Sequence, residues 1–465
     1  MSNRKNKYFG TDGFRAKAGE GLCAHHAYKI GRFLGWYYSS ALSGCMEAVY
    51  RPRVAIGKDT RLSCDMLECA LAAGLCASGA DAYLLGVLPT PAVAHVTRAD
   101  GFDCGVMVSA SHNPFYDNGI KIINGGGEKL CDGVIALIEA YIDGDTSGLG
   151  VRGELPSATC ERVGRTIAYP CGREKYLSFL ASFAPSLPCG FTLGLDCGNG
   201  AAAETARALF SAIGVRAEVM GAEPSGLNIN EGCGSLHTGA LCALVREKQL
   251  CAGFAFDGDG DRCIAVDENG NVLDGDAMLY VLAKGESSRG ELQGGAVAAT
   301  VMSGTGLRTS LKKEGIGLEE TAVGDRFVYE RMKEKGLSLG GEQSGHIIFR
   351  KHATTGDGIL TALMLLCEVA RAGAPLSALA SGLERFPQYS VNVRVKDKFA
   401  AIHDAAVRSA VERAEREIGA SGRVLLRASG TEPLVRVMAE CESKEKCKLC
   451  AEEIARVIEK SEIGL

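Results

Sequence analysis

Three stretches of the chain repeat one plan: apolar strand, glycine-containing loop, amphipathic helix, glycine, apolar strand. This repeat narrows the available folds more than any other feature. The first copy reads as a strand at 53–57, a helix at 66–78 and a strand at 82–85. The second has its strands at 191–195 and 215–220 around a helix at 202–213, and the third at 296–301 and 317–320 around a helix at 306–314. Strands alternating with helices of this length argue for parallel sheets with helical crossovers, so three related α/β domains are expected. Gly79 and Gly214, just past two of the helices, fit left-handed caps. The last segment differs. Strands at 389–395, 423–426 and 434–440 and helices at 400–417 and 443–460 read as a small α+β domain. A chain of 465 residues is too long for one core, and domain limits are expected near 160, 262 and 378, giving segments 1–160, 161–262, 263–378 and 379–465.

Composition excludes several classes of function. A net charge of −5 leaves no basic surface of the kind that tracks nucleic acid, so anionic ligands must be held by local positive groups. The N-terminus has no apolar core behind Met1 to Lys7, against a signal peptide, and the apolar run 359–367 is too short for a bilayer. A cytoplasmic protein with no membrane partner is expected. The 19 cysteines then read as small apolar residues of a reducing compartment. Cys447 and Cys450 have no second pair at zinc-site spacing and read as neighbours one helical turn apart.

Chemistry concentrates in four loops. In Asp257-Gly258-Asp259-Gly260-Asp261-Arg262, three carboxylates are spaced by two. Such crowding calls for a cation, and hard oxygen ligands at this density suit Mg²⁺. An EF-hand would need glycine where Arg262 stands and helices where the flanks 252–256 and 263–266 read as strands. An acidic turn without metal is the plain alternative. Arg262 beside the cage suits a phosphate oxygen on the same metal. Ser111 lies in Val108-Ser109-Ala110-Ser111-His112-Asn113-Pro114, without the Gly-x-Ser-x-Gly elbow of acyl transfer. A serine that carries phosphate needs a metal and a base instead, and His112 and Asn113 read as residues that shape the loop. Glu342-Gln343-Ser344-Gly345-His346 offers a carboxylate, an amide and a hydroxyl to a sugar, or is an exposed turn. Ser429-Gly430-Thr431, flanked by Arg427 and Arg436, offers N–H groups, hydroxyls and guanidinium to an oxyanion, or is a plain hairpin turn.

Together the loops resemble those of the α-D-phosphohexomutase superfamily, in family order and over essentially the full length. Phe9-Gly10-Thr11-Asp12-Gly13-Phe14-Arg15 and Asp117 to Lys121 resemble two further family motifs. Gln343, Ser109-Ala110-Ser111, Asn228-Ile229-Asn230 with Cys233-Gly234-Ser235, and Val323-Gly324-Asp325-Arg326 are similar to the branch acting on glucosamine phosphates. Gly258, the run 300–307 and Ala428 depart from that branch without touching a residue of essential chemistry.

The resemblance implies a four-domain architecture, three related mixed α/β domains plus a smaller C-terminal α+β domain, with the active site in the central cleft. It implies interconversion of glucosamine 6-phosphate and glucosamine 1-phosphate through a phosphoserine at Ser111 and a sugar 1,6-bisphosphate, which also serves as activator; the product would feed UDP-N-acetylglucosamine and the cell wall. Glucose or mannose phosphates with the same mechanism are the alternative. Carried over by position, Ser111, Asp257, Asp259 and Asp261 hold Mg²⁺, and Lys121 and His346 are the acid/base pair. Arg15 and Arg262 stabilise the moving phosphoryl. Glu342 and Ser344 contact the sugar, and Arg427, Ser429, Gly430, Thr431 and Arg436 hold the phosphate that is not reacting. The partner is a phosphosugar, and the chain is expected as a monomer or homodimer.

Overall fold

The computed structural model describes residues 7–10, 12–43, 50–151, 153–184, 190–419, 422–429 and 433–461. Every strand and helix of the three repeats is present within two residues of its expected limits. Gly79 and Gly214 have φ of 85° and 76°, the left-handed values their positions require. By packing, the chain divides into two compact units, one of residues 1–300 with 319–380 and one of 301–318 with 381–465.

The larger unit holds three sheets. The first has seven strands in the order Phe9–Gly10, Gly13–Lys17, Asp117–Asn124, Cys104–Val108, Arg53–Lys58, Asp81–Val87, Thr166–Ala168. Its central strands are parallel, and Val54, Ala55 and Ile56 are fully buried, as expected of a strand covered on both faces. From Cys104–Val108 onward the sheet turns antiparallel. The second has five strands, Val272–Leu273, Cys263–Val266, Ala252–Phe256, Thr192–Asp196 and Arg216–Met220. It runs past the expected limit at 262 to Leu273, because 257–262 is the turn of a hairpin inside one sheet, with Phe256 opposite Cys263. The third orders Gly317–Thr321, Ala296–Thr300, Leu339–Gly341 and Ile347–Phe349. Each sheet is therefore mixed, a parallel centre with an antiparallel hairpin, and not purely parallel.

The smaller unit carries the three-stranded antiparallel sheet Gln388–Arg394, Leu434–Glu440, Arg423–Ala428. The helix of the third repeat, Thr305–Lys313, packs in this unit. Thr305 N donates to Glu440 (2.9 Å), Arg423 Nη1 donates to Val301 O (2.6 Å), and Glu384 N donates to Ser310 Oγ (2.9 Å). The helix expected at 400–417 is two, Lys398–His403 and Ala405–Ile418, because Asp404 is extended and caps the second through Ala406 N and Val407 N. Cys447 and Cys450 are buried in the helix Lys444–Lys460, and the described cysteines form no disulfide. Among the described residues no helix is long and apolar enough to cross a membrane.

The four candidate loops have one structural origin. Ser111, the 257–262 run, the 342–346 run and Ser429 all lie in turns joining neighbouring antiparallel strands, so each leaves its sheet at the carboxyl end of one strand.

Candidate active site

In the larger unit the serine, metal and sugar loops contribute to one buried polar cluster. Ser111 is fully buried and has φ 53°, rare for a residue with a Cβ. Its Oγ donates to Asp257 Oδ2 at 2.6 Å and lies 3.3 Å from His112 Nδ1. With its proton committed to Asp257, the oxygen turns a lone pair to His112. Burial, with Arg262 and Arg15 adding to it, lowers the His112 pKa to about 4, so this imidazole is neutral.

Asp257, Asp259 and Asp261 each offer an oxygen within 4.8 Å of the others. Asp259 Oδ2 accepts from Thr90 Oγ1 and from Lys121 Nζ (2.7 Å), and Asp261 Oδ2 accepts from Lys121 Nζ (3.1 Å). The second oxygen of both residues, Oδ1, is buried and without a hydrogen-bond partner. A buried carboxylate oxygen without a hydrogen bond is costly; Asp261 Oδ1 is only loosely paired, 3.7 Å from His346 Nδ1 and 3.9 Å from Arg262 Nε, and two such oxygens in a triad of carboxylates fit a cation. Burial first, then Asp261 and Asp259, pushes the Asp257 carboxyl well above the usual range. Asp261 is held well below it, because Lys121 and His346 outweigh its burial.

Lys121 is the hub. Beside Asp259 and Asp261 it meets Asp12 Oδ2 at 3.0 Å. Burial alone would favour the neutral amine, but the three carboxylates win and its pKa stands well above the ordinary lysine value. Asp12 in turn pairs with Arg15 and with Lys129 (2.9 Å), and Lys129 reaches Asp325 at 2.7 Å. Arg262 Nε, 3.9 Å from Asp261 Oδ1, and Arg15 Nε are buried without a hydrogen bond, guanidinium groups suited to an anion. Six carboxylates, of Asp12, Asp257, Asp259, Asp261, Asp325 and Glu342, stand with four permanent cations, of Arg15, Lys121, Lys129 and Arg262.

His346 is buried, its Nδ1 3.7 Å from Asp261 and its Nε2 3.5 Å from Asp325. Two effects oppose each other at this ring. Gly356 N donates to Nε2 at 2.9 Å, which needs a lone pair there. Although burial opposes it, Asp261, Asp325 and Glu342 raise the pKa to about 9, so a proton delivered to Nε2 is retained. Glu342 accepts from Gly324 N (3.2 Å), and burial raises its pKa. Ser344 is exposed at the tip of the loop.

The structure thus brings together Ser111, Asp257, Asp259, Asp261, Lys121, His346, Arg15, Arg262 and Glu342. Arg427, Ser429 and Arg436 belong to the smaller unit, where Arg427 stands directly opposite Arg436 across the sheet and Lys398 Nζ donates to Ser429 O (2.5 Å). Like charges opposite one another are unfavourable unless an anion lies between them. Gly430 and Thr431 lie outside the described residues. Sequence reading missed Thr90, Lys129, Asp59 and Arg61 and gave Asp12 and Asp325 no role. Asp59 and Arg61 did carry a signal, charged residues at the carboxyl end of a buried central strand; Thr90, the first residue of the helix Thr90–Ala99, carried none.

Models of domains I, II and III and of the C-terminal domain of phosphoglucomutase/phosphomannomutase match residues 6–148, 174–270, 274–386 and 391–457. Phosphoglucosamine mutases of Lachnoclostridium phytofermentans and Lachnospira eligens are each 50% identical over 97% of this chain and 98% of their own. That of Bacillus subtilis is 47% identical over 99% of both. Among solved structures, a phosphoglucomutase/phosphomannomutase family protein of Burkholderia thailandensis is 25% identical with a TM-score of 0.80, covering 99% of this chain and 100% of that one. An Aspergillus fumigatus N-acetylphosphoglucosamine mutase, solved with GlcNAc-6P and magnesium, shares the fold at 17% identity and a TM-score of 0.67, covering 98% of this chain and 96% of its own.

Proposed function

This chain belongs to the phosphoglucomutase/phosphomannomutase family, and on that premise we propose that it interconverts glucosamine 6-phosphate and glucosamine 1-phosphate. The observation that carries the mechanism is Ser111 Oγ, hydrogen-bonded to one member of a buried aspartate triad whose other two members each keep an oxygen without a hydrogen bond.

In this reading Ser111 exists as a phosphoserine. Its P–O bond breaks as the phosphoryl passes to the free hydroxyl of the sugar phosphate, giving the 1,6-bisphosphate. That intermediate turns round and returns its other phosphoryl to Ser111 Oγ. Mg²⁺ held by Asp257, Asp259, Asp261 and the serine oxygen would offset charge on the transferred group. Lys121, held as an ammonium by three carboxylates, supplies a proton to the serine oxygen as the phosphoryl leaves. His346 takes the proton of the sugar hydroxyl, and its surrounding carboxylates favour keeping it. Arg15 and Arg262 each bring a buried Nε without a hydrogen bond to the phosphoryl oxygens. Glu342 and Ser344 read the sugar; a carboxylate also suits the amino group of glucosamine. In the smaller unit, Arg427, Ser429, Gly430, Thr431 and Arg436 hold a phosphate oxyanion. A free sugar 1,6-bisphosphate reloads enzyme that has lost its phosphoryl. The soluble phosphosugar chemistry fits a cytoplasmic enzyme supplying UDP-N-acetylglucosamine.

The test is a ³¹P NMR time course of protein, Mg²⁺, a trace of sugar 1,6-bisphosphate and glucosamine 6-phosphate, with parallel glucose and mannose tubes. A new 1-phosphate resonance, fastest with glucosamine, is expected. Faster glucose or mannose conversion would keep the mechanism and overturn the substrate, and no conversion in any tube would overturn the function.

A further inference from the structure

The backbone of Ser111 is held from two sides. Arg61 Nη2 donates to Ser111 O and to Asn113 O, both at 2.8 Å. Asn230 Nδ2 donates to the same two carbonyls at 2.9 and 3.2 Å. The two donors come from different parts of the fold. Arg61 is fixed by Asp59 (2.9 Å), which also accepts from Ser109 Oγ (2.6 Å), and Ser109 Oγ accepts from Ser111 N (2.9 Å). Asn230 belongs with the sheet that carries the aspartate triad. Its own N–H donates to Gly198 O at 2.8 Å, and Asp196 ties that loop down through Gly198 N and Gly234 N.

The Asn230 amide lies in the seam between the serine loop and the metal loop. A Cβ at Gly258 would come within 2.9 Å of Asn230 Nδ2 and 2.5 Å of Ser111 O, so the three groups are in contact across it. Asn230 is itself buried and left-handed, with φ 58°, a conformation asparagine tolerates better than most residues. Ser111, at φ 53°, is held in a conformation that its own Cβ disfavours. The hydrogen bonds to its carbonyl oppose relaxation of that peptide, and the direction of Oγ follows from the peptide's orientation.

We propose that Asn230 is a positioning residue for phosphoryl transfer. It locks the serine loop to the metal loop, so that Ser111 Oγ and Asp257 keep their alignment while the phosphoryl leaves and returns. It touches neither sugar nor phosphate. The inference rests on the reading that Ser111 carries the phosphoryl. Loss of the amide leaves both carbonyls bonded to Arg61, whose Nη1 also donates to Pro114 O and to Asp117 O (3.1 Å), so the loop stays folded but loses the amide tie to the sheet that carries the aspartates. Transfer then slows while binding of the sugar phosphate is unchanged.

The experiment uses N230G, which accepts the left-handed backbone and removes only the amide, and N230D, which keeps the shape but turns an acceptor toward two carbonyls. Steady-state kinetics is combined with single-turnover transfer of labelled phosphoryl from a sugar 1,6-bisphosphate to dephosphorylated protein, and with thermal melting. Expected are a kcat lowered at least tenfold in both variants, a KM within threefold of the unsubstituted enzyme, and labelling of Ser111 slowed by the same factor as kcat. Labelling within threefold of the unsubstituted rate would overturn the proposal, as would a loss of kcat matching the fraction of unfolded protein. If N230G fails to fold, N230D alone decides by the same readouts, and failure of both to fold makes Asn230 a structural residue and ends the proposal. An unsubstituted protein that turns over yet takes no label would overturn the phosphoserine reading, and the inference with it.

Discussion

Gly356→Ala separates a catalytic His346 from a merely buried one. Gly356 donates its N–H to His346 Nε2, and a Cβ at that position would stand 2.6 Å from Cδ2 and Nε2 and 2.7 Å from Cε1 of the imidazole. These contacts fall short of an ordinary 3.4 Å approach by about 0.8 Å. The backbone at 356 is outside the left-handed region, so alanine is strained only by the ring. Asp261 and Asp325 flank the two ring nitrogens at 3.7 and 3.5 Å, and the peptide of 356 adjoins Asp357, which caps the buried helix Gly358–Ala372. The imidazole must therefore shift by several tenths of an ångström to about 1 Å. A displacement of that size costs about 100-fold at a reacting centre, whereas overpacking of this kind destabilises by only about 1–3 kcal/mol. The assay is the rate of glucosamine 6-phosphate conversion alongside thermal melting, with Gly133→Ala as control, a helical glycine whose added Cβ meets nothing within 4 Å. G356A should lose about two orders of magnitude in kcat, melt only a few degrees lower, and leave the control unaffected. A folded G356A retaining more than about a third of the activity would remove His346 from the reacting centre.

Ser111→Ala should abolish turnover in a protein that still melts cooperatively, and activity above a few per cent would refute the phosphoserine mechanism. Adding Mg²⁺ should raise the melting temperature, since a cation at 100 times its Kd contributes about 2.7 kcal/mol. Asp261→Asn should erase that shift; an undiminished shift would remove Asp261 from the ligand set. Burial raises the Asp357 pKa to about 6, so over the window from about 4 to 6 the folded state binds more protons than the unfolded one, and stability falls as pH rises. Tyr176 donates to this carboxyl at 2.7 Å. Tyr176→Phe should therefore cost about 1.5–3 kcal/mol at pH 7.5, where the lost bond is to an ion, and about 1 kcal/mol near pH 5; urea unfolding with a pH-independent deficit would contradict this.

The architecture was legible because alternation of apolar strands with amphipathic helices is a local signal, set by which faces must be buried. It failed where contacts distant in sequence decided. The flanks 252–256 and 263–266 read as strands, but a domain limit was expected between them near 262, and it is the pairing of Cys263–Val266 with Ala252–Phe256 that makes 257–262 a turn within one sheet. The break at Asp404 was missed because helix-forming residues flank a single capping aspartate. The helix Thr305–Lys313 read as part of a third repeat, and hydrogen bonds to residues more than 70 positions away place it in the smaller unit.

At the candidate site the sequence by itself determined the candidate groups: a serine with no acyl-transfer elbow, three aspartates at alternate positions and the polar loop 342–346. Each is a short motif whose chemistry is set by residue type and spacing. Tertiary structure decided the supporting shell. Lys121 is an ammonium because Asp12, Asp259 and Asp261 surround it. Lys129 bridges Asp12, 117 residues before it, to Asp325, 196 residues after it. Arg61 and Asn230 hold Ser111 in a left-handed conformation from opposite sides. Protonation states and alignments of this kind depend on distance and burial, which the order of residues along a chain does not encode until the chain has folded.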